Sequence, residues 1–325
     1  MKRFLYLFIA VFFVSPVSAQ SEDIGNFISD VLFIAEEFSD PAADAAGMQA
    51  SAGWFSSASA LEKWDIRFSL HGNALMIPEK RKSFTMRNSD LKLLQIEGVE
   101  SVEVPTAFGG VSKEMLSGTI NFNGQEIPVN FDAIDGIGRN YVPHAFMQIA
   151  VGLSAGTEIT VRAMPNVTID GVTANTYGLG VKHNLNRYFN PYDFERKFQV
   201  ALGVAYSKLN VEYEFEPQGA EGIVLLNQIN VDADLFMAEL IGSMELGFFE
   251  PFAAVGVTNS SFDYVFGGTG DYLVEVNNQV DKLEDSAVQF KGDLGFNLHF
   301  GRFRLSAMGT VGDFFNGNLG LHFRI

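Results

Sequence analysis

Cysteine is absent from all 325 residues. That excludes a disulfide framework and any thiolate metal site. Long apolar runs are almost as scarce. After Val14 no stretch approaches the roughly 20 apolar residues of a membrane-crossing helix. Positive charge is short as well: 22 Lys and Arg stand against 39 Asp and Glu, a formal net charge of -17. Nucleic-acid binding leans on Lys and Arg to neutralise phosphates, so no nucleic-acid partner is expected. Signatures of chemistry are missing too. His71, His144, His183, His299 and His322 are scattered, with no pair at zinc-ligand spacing. No Gly-x-Ser-x-Gly elbow occurs. Gly267-Gly268-Thr269-Gly270 lacks the Lys and the helix of a phosphate loop and reads as a turn. Asp263, Asp271, Asp281, Glu284 and Asp285 do not follow EF-hand spacing and read as a solvated acidic loop. No catalytic residue, cofactor or metal is expected, and the chain is not read as an enzyme.

What is present begins with an address. Lys2 and Arg3 precede an apolar run from Phe4 to Val14, and small residues end in Val17-Ser18-Ala19. Residues 1–19 read as a secretory signal peptide cut after Ala19. Loss of Lys2 and Arg3 would move the charge from -17 to -19. Ile24, Phe27, Ile28, Val31, Ala35 and Phe38 then recur at spacings of three and four, one stripe of a short amphipathic helix. Asp40-Pro41 is expected to stop it. Ala42 to Ser59, rich in Ala, Gly and Ser around Trp54-Phe55, reads as a compact segment without strands. Residues 20–60 are therefore a candidate plug, with Phe27, Val31, Trp54 and Phe55 as its anchors; an ordinary periplasmic arm is the plainer alternative.

From residue 61 onward the period becomes two. Leu319, Leu321, Phe323 and Ile325 alternate with Asn318, Gly320, His322 and Arg324. Phe198, Val200, Leu202, Val204 and Tyr206 alternate with small or polar neighbours. A strand turns successive side chains to opposite faces, so each face meets a different environment. Backbone groups cannot stay unpaired in hydrocarbon, and without an apolar helix only a closed sheet spans a membrane. The expected fold is all-β: a transmembrane antiparallel β-barrel of about 12–14 strands over residues 61–325, with a short N-terminal helix or plug and a less regular insert around 79–138. A secreted β-sandwich is the competing fold. Asn123-Gly124 marks a hairpin inside the insert. Pro217 to Glu221 is expected to be a loop, and a bulge or turn is expected near Glu239 and Gly242.

If apolar residues face lipid, the charges between them face inward. Glu158, Arg162, Lys182, Glu212, Glu214, Asp232, Asp234, Lys291, Asp293, Arg302, Arg304 and Arg324 are the candidate lumen lining. Such charges either pair across strands and hold the barrel shut, or set the field of a pore.

The signal peptide, the many hairpins and the last strand, Gly317-Asn318-Leu319-Gly320-Leu321-His322-Phe323-Arg324-Ile325, resemble Gram-negative outer-membrane β-barrels. Those commonly end in an aromatic residue, whereas here Phe323 lies two places before the final Ile325. A helix followed by Pro41-Ala42-Ala43-Asp44-Ala45-Ala46-Gly47, then Gly53-Trp54-Phe55-Ser56-Ser57-Ala58, then Pro105-Thr106-Ala107-Phe108-Gly109-Gly110, resembles an uncharacterised, DUF6588-like family of bacterial outer-membrane barrels. More loosely it is similar to the long-chain fatty-acid transporter type of barrel, whose N-terminal segment forms a hatch. The resemblance implies outer-membrane lipid and the barrel-assembly machinery as partners. The expected function is passive transport of a small solute, with a hydrophobic small molecule as the candidate. A structural or adhesive envelope protein with an occluded barrel is the alternative, and an outer-membrane enzyme a minor one.

Overall fold

The computed structural model describes residues 17–112, 114–122, 125–169, 171–189, 197–220, 222–280 and 285–325. The expected signal-peptide run up to residue 16, the expected turn at Asn123-Gly124 and the acidic positions Asp281 and Glu284 lie outside the described residues.

Fifteen strands form among the described residues: β1 (Ile66–Met76), β2 (Ser83–Arg87), β3 (Gln95–Ile96), β4 (Ser101–Pro105), β5 (Met115–Phe122), β6 (Gln125–Asp132), β7 (Tyr141–Gly152), β8 (Thr157–Ile169), β9 (Val172–Asn184), β10 (Phe198–Ala220), β11 (Val224–Met244), β12 (Phe249–Thr269), β13 (Asp285–Phe300), β14 (Phe303–Val311) and β15 (Phe315–Arg324). Ten of them, β1 and β7 through β15, pair antiparallel in a ring that closes where β15 meets β1. The fold is an all-β closed barrel, as the period of two implies. The wall has ten strands, fewer than hairpin counting suggests, because several strands are far longer than a minimal membrane strand. β10 has 23 residues and runs through Pro217 with a register shift between Glu214 and Gln218, where a loop was expected. β12 continues through Gly267 and Gly268 to Thr269, where a turn was expected. β11 passes Glu239 and Gly242 with no break in its pairing there.

The strands alternate as lipid-facing strands should. On β10, Ala201, Ala205 and Ser207 are buried, while Leu202 and Val204 are 47% and 45% exposed. Leu70, Met147, Leu179, Leu240, Val255, Leu294, Phe296 and Leu321 continue the apolar outer face around the ring. So wide an exposed apolar belt has no place on a water-soluble sandwich and fits the outward band of a membrane barrel. One rim, here the lower, carries the first residue of β1 beside the last of β15 and the short turns 153–156, 245–248 and 301–302. The upper rim carries the insert between β1 and β7. In that insert β2 pairs with β4, and a β3–β5–β6 sheet joins the wall where Gly219 meets Asn130.

The first helix, α1 (Val17–Ser51), is longer than its apolar stripe suggests. It does not stop at Pro41 but carries that residue inside. Proline removes one helix donor and crowds the preceding turn. Here the Phe38 carbonyl accepts the Ala107 N–H at 2.9 Å, so a backbone group near the defect is satisfied from the insert. The Ala-rich sequence beyond Pro41 has high helix propensity, which lets the helix resume. Its upper part packs Ile24, Phe27, Ile28 and Val31 with Leu94, Leu116, Ile120, Phe131, Ile229 and Phe266. Two shorter helices, α2 (Asn186–Phe189) and α3 (Leu273–Val280), sit in the lower loop before β10 and beside β12.

Candidate functional site

The lumen is filled from above by α1 and from below by the chain that leaves it. α1 has no basic residue in its last turn. Carbonyls at a helix C-terminus need donors and favour nearby cations. The barrel wall supplies them. Arg162 on β8 donates to the Ala50 carbonyl at 2.8 Å and the Ala52 carbonyl at 3.0 Å. Its guanidinium also lies 4.0 Å from the centre of the Trp54 ring and 3.9 Å from that of Phe146. Lys291 on β13 donates to the Ser51 carbonyl at 3.2 Å and is paired with Asp293 and Glu239. Lys182 on β9 donates to the carbonyls of Ser57 and Ser59 at 2.9 and 2.8 Å.

Carboxylates and amides complete the clamp. Glu158 pairs with Arg67 and lies 3.5 Å from Lys182. Glu250 accepts from the Ser57 hydroxyl at 2.6 Å, and Asn297 donates to the Ser56 carbonyl at 2.6 Å. Trp54 and Phe55 are each 3% exposed. Their rings lie against backbone: a Cβ on Gly180 would fall 2.9 Å from Trp54, and one on Gly203 would fall 2.5 Å from Phe55. Glycine at those two wall positions makes the niche for the rings.

The candidate lumen residues divide by height. Glu158, Arg162, Lys182, Lys291 and Asp293 are buried inside the lower barrel. Arg304 is half-buried and donates to the Ser56 hydroxyl at 3.0 Å. Arg302 and Arg324 are exposed at the lower rim, not inside the wall. Glu212, Glu214, Asp232 and Asp234 face outward, which corrects their assignment to the lumen. Their neighbours Leu209, Val211, Val231, Ala233 and Leu235 are the ones turned towards α1 and the pocket beside it. The physical reason is that the interior is apolar at this height, so the polar side of each strand must turn to water. Of the candidate plug residues, Trp54 and Phe55 sit in the lower lumen. Phe27 and Val31 instead anchor α1 in the upper apolar core.

A cavity of about 270 Å³ remains beside α1 in the upper half. Phe38, Ala42, Ala46, Met164, Val211 and Val231 are among its walls, with Gln49, His144 and Thr176 as polar points. The Nδ1 atom of His144 is buried and has no hydrogen-bond partner among the described residues. A second, polar vestibule of about 1000 Å³ opens at the lower rim, lined by Arg67, Arg304, Glu250, His299 and Arg324. Residues 50–57 lie between the two spaces and are tied to the wall by the clamp. Sequence reasoning missed the upper cavity. One signal pointed there: prolines at 143 and 165 in neighbouring strands.

The chain belongs to DUF6588, a family of unknown function, whose model matches residues 1–325. No curated protein matches its sequence. Among solved structures it is similar to an outer membrane channel from Pseudomonas putida F1, at 10% identity and a TM-score of 0.38, covering 83% of this chain and 99% of that one. It is also similar to the outer membrane protease OmpT from Escherichia coli, at 11% identity and a TM-score of 0.30, covering 83% of this chain and 100% of that one. Ail, the attachment invasion locus protein of Yersinia pestis, follows at 10% identity and a TM-score of 0.26, covering 81% of this chain and 99% of that one.

Proposed function

We propose that this member of the family is a plugged outer-membrane barrel that passively admits a small hydrophobic solute. The observation that carries the reading is the apolar cavity between α1 and the upper wall, next to a lower lumen stoppered by residues 50–59. Ligand pockets typically span about 300–1,000 Å³ and combine apolar walls with a few polar points. At about 270 Å³ the cavity lies just below that range, which favours a small solute. Short turns face the periplasm in such barrels and longer connections face outward. The lower rim is then periplasmic and the cavity belongs to the outer half. Solute would bind above the stopper and pass when residues 50–59 move, with no covalent step. The chain would reach the membrane after removal of residues 1–19, which N-terminal sequencing of the mature protein would read as a start at Gln20.

Planar-bilayer recording and liposome uptake test the reading. The intact protein is expected to show little ion conductance and measurable uptake of an apolar solute. Absence of solute passage both with residues 20–60 and without them would overturn it. A second reading is favoured by one observation, the density of the clamp itself. A lumen held shut by Arg162, Lys182 and Lys291 suits a structural or adhesive envelope protein whose acidic outer wall meets sugar, protein or divalent cations. That reading expects Arg162→Leu to destabilise the protein without producing conductance or uptake.

A further inference from the structure

We infer that the upper cavity opens sideways, through a gap in the wall between β7 and β8, and takes small apolar molecules directly from the membrane. The inference rests on the reading of that cavity as a hydrophobic binding site and adds its route of entry.

The gap is a stretch of missing ladder. β7 pairs with β8 only over Met147–Gly152 against Glu158–Ala163. Above that, residues 141–146 keep β1 on one side and have no strand partner on the other among the described residues. Residues 164–169 of β8 likewise keep only β9, and that pairing shifts register between Met164 and Val167. Burial agrees with the pairing. Glu158 to Met164 alternate inside and outside, but Pro165, Asn166, Val167 and Thr168 are all exposed, so both faces of this strand end are open. Met164, Val167, Tyr141, Val142, Pro143 and His144, which are the two lips of the gap, all line the cavity.

An open seam in a membrane wall needs an answer for its backbone groups, because an unpaired amide or carbonyl in hydrocarbon costs several kcal/mol, roughly. Three features supply it. Pro143 and Pro165, one on each lip, have no N–H to satisfy. The Val142 carbonyl accepts the Gln49 side chain of α1 at 2.9 Å. The gap also begins at the height of Tyr177, which is paired with Ala163 and is 53% exposed on the outer face. Aromatic residues mark the membrane–water interface in such barrels. The lips therefore rise from the interface, where headgroups and water can hydrogen-bond, and the membrane surface meets the lower edge of the mouth. Chemistry of the cavity selects the ligand class: a small, predominantly apolar molecule, because apolar side chains make up most of its walls.

Two photoreactive probes separate the port from the pocket, applied to the full-length protein in liposomes, with adducts mapped by mass spectrometry. A diazirine-bearing octanol partitions freely and reports the pocket by any route. A phospholipid carrying a diazirine at the end of one acyl chain stays in the bilayer and reports only what the membrane can reach sideways. The octanol is expected to label residues on α1 and β10 that line the cavity, and Ala46→Trp, which fills it, should cut that labelling at least fivefold. The tethered chain is expected to label Met164, which is 8% exposed and turned inward, besides lipid-facing Met147 and Val161. Val167→Trp should cut the Met164 adduct at least fivefold while the octanol adducts stay. Tethered labelling confined to Met147 and Val161, or a Met164 adduct unchanged in Val167→Trp, would overturn the port and leave the pocket standing. No octanol adducts in the cavity, or adducts that survive Ala46→Trp, would overturn the pocket and the port with it.

Discussion

The lower and upper halves of this barrel obey opposite rules. Below, the wall is apolar outside and polar inside: Leu202, Leu240 and Leu321 face out, while Lys182, Glu239, Lys291 and Asn297 face in. Above, the same strands are polar outside and apolar inside: Glu212, Glu214 and Asp232 are exposed, while Ala233, Leu235 and Phe262 are buried with α1 nearby. The side-chain period never changes; the solvent on each side does. Lipid below requires an apolar exterior, and the stopper's backbone carbonyls require charged donors within. Water above requires a polar exterior, and the apolar stripe of α1 requires an oily interior. One strand, β11, crosses the boundary between Asp234 and Phe236, and its two faces exchange character there.

Arg162→Leu attacks the comparison most severely. It leaves the buried carbonyls of Ala50 and Ala52 without their donor, and each buried orphan costs about 1–3 kcal/mol. A loss of about 2–5 kcal/mol in unfolding free energy is expected, read from denaturant unfolding in micelles, with residues 50–59 becoming sensitive to protease. The upper half should keep its protection from hydrogen exchange, because its packing does not use Arg162.

Placing one substitution on the same face of each half sharpens the contrast. Leu240→Arg puts charge on the outer face among lipid-facing neighbours and should cost about 2–4 kcal/mol. Glu214→Arg, on the outer face above the belt, should stay within about 0.5 kcal/mol. Equal costs at the two positions would mean that the two halves share one exterior.

Asp30→Ala probes the upper half alone, with an expected effect below that of Arg162→Leu. The Asp30 carboxylate accepts the backbone N–H groups of Lys92, Leu93 and Leu94 at 2.7 to 2.8 Å and ties α1 to the insert. Its removal should cost about 1–3 kcal/mol, seen as faster exchange at those amides with the lower clamp unchanged.

The lower half was legible in the sequence. Its period of two is clean in Phe198 to Tyr206 and in Leu319 to Ile325, because lipid imposes one rule on every strand. Glu158, Arg162, Lys182, Lys291 and Asp293 stand on the inner side for the same reason. The upper half was not legible. Glu212 and Asp232 follow the same alternation, but the face they mark depends on whether lipid or water lies outside, which one strand cannot report. The continuation of α1 beyond Pro41 was hidden likewise, since the groups that satisfy and pack it come from residues as distant as Ala107, Arg162 and Lys291. The number of wall strands was overcounted because the stretch around Glu239 and Gly242 reads as a turn, yet sits inside the single long strand β11.

The claim that joins both halves is that α1 lies inside the closed wall. A Cβ built on Gly47 would stand 3.6 Å from the Ser260 Cβ, within the roughly 3.5–4.5 Å span of a disulfide. The chain has no cysteine of its own, so the double variant Gly47→Cys with Ser260→Cys can form only one intramolecular bond. Mild oxidation of the folded protein should join the two thiols, detected as a cross-linked peptide after proteolysis. Two free thiols in a folded, oxidised sample would place the helix outside the barrel and contradict the account.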